Sequence, residues 1–186
     1  MKVLHVLYQS LPNTAGSSIR SRDIINAQLK IGLEPIVITS PFQDPFSHGN
    51  IKEENNGIVY YRTFSNKNEI VSEKKSNIFI QMIKTFRLIS FSYQVYKVAR
   101  KEKVDVIHAH AMFFCAIAAK ISSFLLRKPM IYEVRSLWEE RFKVLSILNR
   151  ILFSFVTIIE SFSMFLSDHL VVINKALKEE IGRAHV

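Results

Sequence analysis

The sequence is poor in the residues that interrupt or staple a chain. Among 186 residues there are five Gly, five Pro and one Cys, Cys115. A single Cys excludes an internal disulfide framework and suits a reducing compartment. So few Gly and Pro exclude a collagen-like or low-complexity chain. Acidic residues are also scarce beside basic ones: 16 Asp and Glu against 25 Lys and Arg, a formal charge of +9. That balance points to an anionic partner, whether nucleic acid, a phosphorylated ligand or an acidic membrane surface. Uninterrupted apolar runs are missing too. Lys84 and Arg87 break the stretch Ile78–Ala99, and Lys143, Arg150 and Glu160 break Phe142–Leu166. A membrane span needs about 18 uncharged residues in a row. The N-terminal apolar run, within Met1–Tyr8, is too short for a secretory signal and lacks a small-residue cleavage site. The expected location is cytoplasmic, with contact to a membrane surface left open.

What is present is a core. Apolar residues make up 48% and charged residues 22%, the balance of a globular chain long enough for one full-sized domain. Fourteen Phe is a high count for a chain of this size.

Strand and helix signals alternate along the chain. Lys2–Tyr8 reads as a strand, Gln9–Ser18 as a polar loop, and Ile19–Ile31 as a helix with Gly32 as its cap. Glu34–Ser40 is a β-branched strand, residues 41–57 a long polar loop, and Ile58–Arg62 another strand. Residues 65–77 are polar and read as a mobile loop. The helix from Ile78 to Arg100 carries two apolar stripes, one through Phe86, Ile89 and Tyr93, the other through Leu88, Phe91, Val95 and Val98. Val104–Ala109 is a strand, Phe113–Leu126 a helix, Met130–Val134 a strand, Phe142–Phe165 a helix, and His169–Ile173 a strand. A final helix begins at Lys175–Glu180. Nearly every strand reads as buried on both faces, which predicts an α/β, Rossmann-like, doubly wound and mostly parallel sheet with helices on both faces. The last seven residues, Glu180–Val186 (EIGRAHV), resemble a translated sequencing adapter and are set aside as an artefactual tail.

Three segments carry chemistry. In the loop Asn13–Arg20, Gly16 can let a ligand approach the backbone, and the following helix N-terminus favours phosphate oxygens. Ser17 and Ser18 add hydroxyls, and Arg20 and Arg22 add charge. The competing reading is an ordinary strand-to-helix turn with a capping Ser. No G-x-G-x-x-G fingerprint is present, so no dinucleotide cofactor is expected. His108 and His110 lie two apart at a strand end and so share one face. No third ligand is spaced for a metal, and none is expected. His108 reads as a core imidazole. Tyr132-Glu133-Val134-Arg135-Ser136-Leu137-Trp138-Glu139 sets Glu133 and Arg135 on one side of a strand as it leaves the sheet. Surface ion pairs among Glu133, Arg135 and Glu139 are the bland alternative. Trp138 can stack on a sugar or cap the core. Basic residues are spread over many segments without a nucleic-acid motif, which excludes nucleic acid as the partner. No G-x-S-x-G elbow supports a hydrolase.

Taken in order, HVLYQSLPNTAGSSIRSRDII, LEPIVITSP with NNGIVYYRT, DVIHAHAMFFCAIAAKI with KPMIYEVRSLWEE, and SDHLVVINKALKEE resemble the N-terminal half of family 4 glycosyltransferases of the GT-B fold. The resemblance covers residues 2–180 and is closest to the branch that builds bacterial exported polysaccharides. It implies a retaining transfer of a sugar from a nucleotide-diphosphate donor to a glycan or lipid-linked acceptor. It also implies a second, donor-binding domain that carries a pair of glutamates and is not encoded here, so that residues 1–180 would be an acceptor-side half, inactive alone. It implies that Gly16, Ser17, Ser18, Arg20, Arg22, His110, Trp138 and Glu139 bind donor phosphate or acceptor, and that Glu133 and Arg135 are catalytic. Many members carry His where Arg135 stands. Arg does not deprotonate, so Arg135 would stabilise charge on the leaving phosphate rather than move a proton. The alternative is a non-catalytic module that binds an anionic lipid or acceptor. The helix from Ile78, apolar on one side and basic on another, could lie on an anionic bilayer such as the inner face of the plasma membrane, or pack between sheet and helix.

Overall fold

The computed structural model describes residues 1–43, 52–63, 78–135 and 157–184. Its strands are β1 (Lys2–Leu7), β2 (Glu34–Thr39), β3 (Lys52–Asn55), β4 (Ile58–Arg62), β5 (Val106–His110), β6 (Met130–Val134) and β7 (His169–Val172). Helices are α1 (Gly16–Lys30), α2 (Ile78–Glu102), α3 (Phe113–Leu126), α4 (described over 157–165) and α5 (Lys175–Ala184). One seven-stranded sheet runs β3-β4-β2-β1-β5-β6-β7. Every pairing is parallel except β3 with β4. This is the expected α/β, Rossmann-like architecture.

Strand alternation sorts the side chains into two half-cores. Leu4, Val6, Ile36, Ile38, Ile107, Ala109, Tyr132 and Val134 pack with Phe91 and Val95 of α2, Cys115 and Ala119 of α3, and Met164 of α4. On the opposite face Leu7, Val37, Ile58 and Tyr60 pack with Ile25 of α1. Right-handed crossovers account for this split: moving outward from β1 through β2 puts α1 on one face, and moving the other way through β5, β6 and β7 puts α2, α3 and α4 on the other. Two strands therefore begin the sheet's two directions, β1 and β5, and the crevice at their carboxyl ends is the topological switch point.

Two local details differ from the expectation. The loop 41–57 contains β3, whose Lys-Glu-Glu-Asn sequence has no apolar alternation to betray it. The hairpin turn was nonetheless encoded: Asn56 and Gly57 adopt φ of 52° and 77°, the left-handed pair that a two-residue turn requires. The second is α5, which continues to Ala184 through most of the seven residues set aside. Gly32 does terminate α1, at φ 82°, with Gly32 N–H donating to Leu29 O and Leu33 N–H to Gln28 O, the double closure typical of a glycine end. The polar stretch 65–77, Trp138, Glu139 and the first part of the helix Phe142–Phe165 fall outside the described residues.

Because Gly57 sits at positive φ, Gly57→Ala should lower stability by about 1 kcal/mol, read as a shift of the denaturation midpoint with an unchanged slope.

A buried carboxylate beneath the first turn of helix α1

The α1 face of the sheet is polar where it meets the switch point. His5 on β1, His108 and His110 on β5 and Glu133 on β6 all fall on this side by alternation, as do their apolar neighbours Leu7 and Val37. The inner stripe of α1 is polar to match, with Ser18, Ser21 and Ile25 buried and Gln28 one turn further on. Helix and sheet are therefore joined by hydrogen bonds and charge more than by apolar contact.

Glu133 is the centre of that joint, with 1% of its surface exposed. Its Oε1 accepts from Arg20 Nε at 2.8 Å, and its Oε2 accepts from Arg135 Nη2 at 3.1 Å. His110 Nδ1 lies 2.7 Å from the same Oε2. Burial pushes the Glu133 carboxyl up, but the His110 hydrogen bond and the two guanidinium groups outweigh it and hold the group well below the usual carboxylate range. Arg135 also reaches α1 directly: Nη1 donates to Ser17 O at 2.6 Å and Nη2 to Ser21 Oγ at 2.9 Å.

Behind Glu133 the imidazoles form a chain. His5 Nδ1 is 2.9 Å from His110 Nε2, and His5 Nε2 is 2.8 Å from the Gln28 side-chain amide. His110 Nδ1 cannot both donate to Glu133 and accept from Arg135 Nη2, which lies 2.8 Å away. With the carboxylate ionised, the donating tautomer is the stable one, and Arg135 Nη2 is satisfied by Glu133 and Ser21. His110 Nε2 then accepts from His5 Nδ1, and a half-turn of the Gln28 amide, which exchanges its O and N, gives His5 Nε2 a donor. All three histidines are held neutral, at about 3, chiefly by burial.

The structure brings together a third imidazole that spacing did not reveal. Donor atoms of His5, His108 and His110 lie within 4.8 Å of one another, the one such group among the described residues. Four of their ring nitrogens are already committed or face each other, and the His108 and His110 rings stack with centroids 4.0 Å apart. An ion would have to break this array to bind. His108 is buried as expected, though its Nε2 finds no hydrogen-bond partner.

The sequence-predicted residues do not all meet in one place. Arg20, Ser17, Glu133, Arg135 and His110 are in one network. His110 is buried in it at 1% exposure, so it touches Glu133 and not the crevice. Arg135 is likewise nearly covered, its side chain 9% exposed and its terminal nitrogens spent on α1 and Glu133. Arg20, with 45% of its side chain exposed, is the cation of this network that a ligand can reach. Gly16 and Ser17 open the first turn. Ala15 is the N-cap, with no capping side chain and no acidic residue in that turn. A Cβ on Gly16 would meet nothing within 4 Å, so the space beside it is open. Ser18 faces inward with an unpartnered hydroxyl and is not the cap. Arg22 turns away onto Asp23 at 2.8 Å. Trp138 and Glu139 lie outside the described residues.

The loop before α1 is fixed from residues that the sequence did not single out. Gln43 Oε1 accepts from Ser10 N at 2.8 Å while its Nε2 donates to Ser10 O at 3.0 Å. Arg62, buried and paired with Glu53, donates to Leu11 O at 3.0 Å and to the Ser10 hydroxyl. His5 and Gln28 were missed as well. A polar residue inside the apolar strand Lys2–Leu7 was the available signal for His5.

A parallel sheet with a cationic, uncapped helix start at its switch point defines a Rossmann-like domain of the kind that makes up one half of the GT-B fold. A sequence profile described as Glycosyltransferase Family 4 matches residues 15–186. The chain belongs to glycosyltransferase family 4. No curated protein sequence matches it. Among solved structures it is similar to UDP-GlcNAc 2-epimerase from Methanocaldococcus jannaschii, with TM-score 0.56 and 15% identity over 100% of this chain and 43% of that one. It is also similar to a protein assigned as UDP-N-acetylglucosamine 2-epimerase from Listeria monocytogenes, with TM-score 0.53 and 14% identity over 98% of this chain and 41% of that one. These likenesses establish the fold. The chain spans less than half the length of either neighbour.

The neutral histidines make a pH prediction. Each ordinarily titrates near 6.5 and is held here near 3, so the unfolded chain binds more protons between those values. Stability is then complete above about pH 6.5 and lost as pH falls, by up to about 1.4 kcal/mol per pH unit for each histidine. Glu133, shifted down, adds a loss in the same direction below the ordinary carboxylate range. Denaturant midpoints measured from pH 7 to pH 4 should fall steeply, and less steeply in His108→Asn.

Proposed function

We propose that this chain is the acceptor-side half of a retaining glycosyltransferase that moves a sugar from a nucleotide-diphosphate donor to a glycan or lipid-linked acceptor in bacterial polysaccharide assembly. The observation that carries the reading is the open first turn of α1 at the switch point, with Arg20 reachable beside it and Arg135 and Glu133 fixed beneath it. Helix N–H groups and a guanidinium offer an anion both dipole and charge. Two structural neighbours bear the names of enzymes that act on a nucleotide sugar, which supports the same ligand class here.

In this reading Arg20 contacts phosphate oxygens of the donor or of a charged acceptor, and Gly16 leaves room for them. Arg135 acts from below. Its charge adds positive potential where the leaving diphosphate gathers negative charge, and its bonds to Ser17 and Ser21 hold the turn in place. Glu133 is a positioning residue, since its carboxylate is occupied by Arg20, Arg135 and His110. Neither it nor Arg135 carries a proton in the reaction. Trp138 and Glu139, outside the described residues, keep only the donor- or acceptor-binding role that the family resemblance implies. The proposed place of work is the cytoplasm, either free or at the inner face of the plasma membrane.

The second reading, a non-catalytic module for an anionic lipid or acceptor, is favoured by one observation: Phe86, Ile89 and Tyr93 of α2 face outward, while Phe91, Val95 and Val98 fill the core. The two apolar stripes of this helix thus have different fates.

Titration of the 186-residue chain with pyrophosphate tests the anion site. Arg20→Gln should weaken binding by about tenfold or more with only a partial loss of stability, because Glu133 keeps Arg135 and His110 as partners. Arg135→Gln should lower stability further, through the loss of the pin under α1. Undiminished pyrophosphate binding in Arg20→Gln sinks the site as drawn. With a nucleotide sugar and acceptor, the chain alone should show no transfer, and turnover by it would overturn the reading as an acceptor-side half.

A further inference from the structure

The central strands of the sheet lie in the order β2-β1-β5, and an aromatic residue follows the carboxyl end of each. Tyr8 comes directly after β1, Phe42 shortly after β2, and Phe114 in the first turn of α3, after β5. Their side chains meet. Ring centroids of Tyr8 and Phe42 are 6.5 Å apart, and Phe114 lies 5.8 Å from each of them. All three are half-buried. Tyr8 and Phe114 rest on the half-core shared with α2 and α3, whereas Phe42 belongs to neither half-core. Arg20 and Glu133 hold the α1 side of the same edge, so the crevice has a charged side and an aromatic one.

Two side-chain amides adjoin the rings. Gln9 Nε2 donates to Phe42 O at 3.3 Å, and Asn13 Nδ2 donates to Gln9 Oε1 at 3.0 Å. Asn13 Oδ1 in turn accepts from Ala15 N at 2.8 Å, which ties the amides to the start of α1. Each NH2 group donates once among the described residues and has a second proton to give. The backbone that delivers Phe114 is strained. Ala111, between β5 and α3, stands at φ 63°, a conformation that a residue with a Cβ rarely takes. Its N–H donates to Glu133 O at 2.8 Å, its carbonyl accepts from the Tyr132 hydroxyl at 2.9 Å, and Met112 N–H closes the turn on His110 O at 2.8 Å. Strain held in place by neighbours in this way gathers at functional sites.

We infer that Tyr8, Phe42 and Phe114, with the amides of Gln9 and Asn13, form the acceptor subsite and receive an uncharged sugar ring. The inference rests on the sugar-transfer reading and names the chemistry of its acceptor. C–H groups on one side of a sugar ring carry partial positive charge from the oxygens beside them, and the face of an aromatic ring is negative. Hydroxyls at the rim of the sugar accept from amide N–H groups. A few polar groups converging beside an apolar, aromatic wall is the usual make-up of a small-molecule site. None of the five side chains is charged, which matches a neutral ring. A flat nucleobase fits less well. Phe114 stands at 76° to Tyr8 and 73° to Phe42, a cup without the parallel faces between which a base is held.

Saturation-transfer NMR of the 186-residue chain with methyl glucoside, methyl galactoside and methyl mannoside tests this, with uridine as the base control. Transfer to the ring C–H protons of at least one glycoside is expected. Phe42→Leu should weaken that binding about fivefold, since leucine keeps apolar volume and loses the aromatic face. Phe114→Leu should do the same. Because Phe42 lies outside both half-cores, Phe42→Leu keeps its fold and stays informative even where Phe114→Leu unfolds. No transfer to any of the three glycosides, undiminished transfer in Phe42→Leu, or transfer to uridine that Phe42→Leu removes would each overturn the inference. Pyrophosphate titration of the same sample separates it from the reading on which it rests. Pyrophosphate bound without any glycoside overturns the subsite alone, and a glycoside bound without pyrophosphate supports the subsite while the anion site fails.

Discussion

A carboxylate removed from water must have its charge met, and the arrangement of this domain's upper edge follows from how Glu133 meets it. The strand β6 delivers the side chain to the α1 face of the sheet, where it accepts from two guanidinium groups and one imidazole. A buried charge with fewer partners would protonate or push the structure apart. Because the partners come from α1, from the end of β6 and from β5, satisfying Glu133 fixes three elements at once. The same requirement explains why α1 presents serines and a glutamine to the sheet where a helix of this fold would ordinarily present an apolar stripe.

The fold was legible in the sequence because it rests on the hydrophobic pattern. Continuous apolar strands such as Glu34–Thr39 and Val106–His110 need both faces covered, and helices between them supply the cover. The hairpin strand β3 escaped because its four residues are polar and lie at the sheet's rim, where no burial pattern is imposed. Its turn was written in Asn56-Gly57, a signal of backbone conformation and not of hydropathy.

The site was legible only in part, for a different reason. Residues near one another in sequence, such as Glu133 with Arg135 or Ser17 with Arg20, could be placed on a common face from spacing alone. Whether a face looks into the crevice or into the protein depends on what packs over it. Arg135 and His110 sit at the carboxyl edge as expected, yet α1 lies across them, and their polar atoms turn to its backbone and to Glu133. His5 and Gln28 joined the network across 105 and 23 positions of sequence separation, which local pattern does not reach.

The two rims of the sheet differ in their chemistry. At one rim β3 runs antiparallel and carries Lys52, Glu53 and Glu54, so an extended segment from another molecule would meet charge along its whole length. At the other rim β7 exposes Leu170 and Val171, and among the described residues no strand pairs with its outer side. Strand-by-strand growth into aggregates therefore has one guarded end and one open end. An extended segment from another molecule would therefore pair along β7 more readily than along β3.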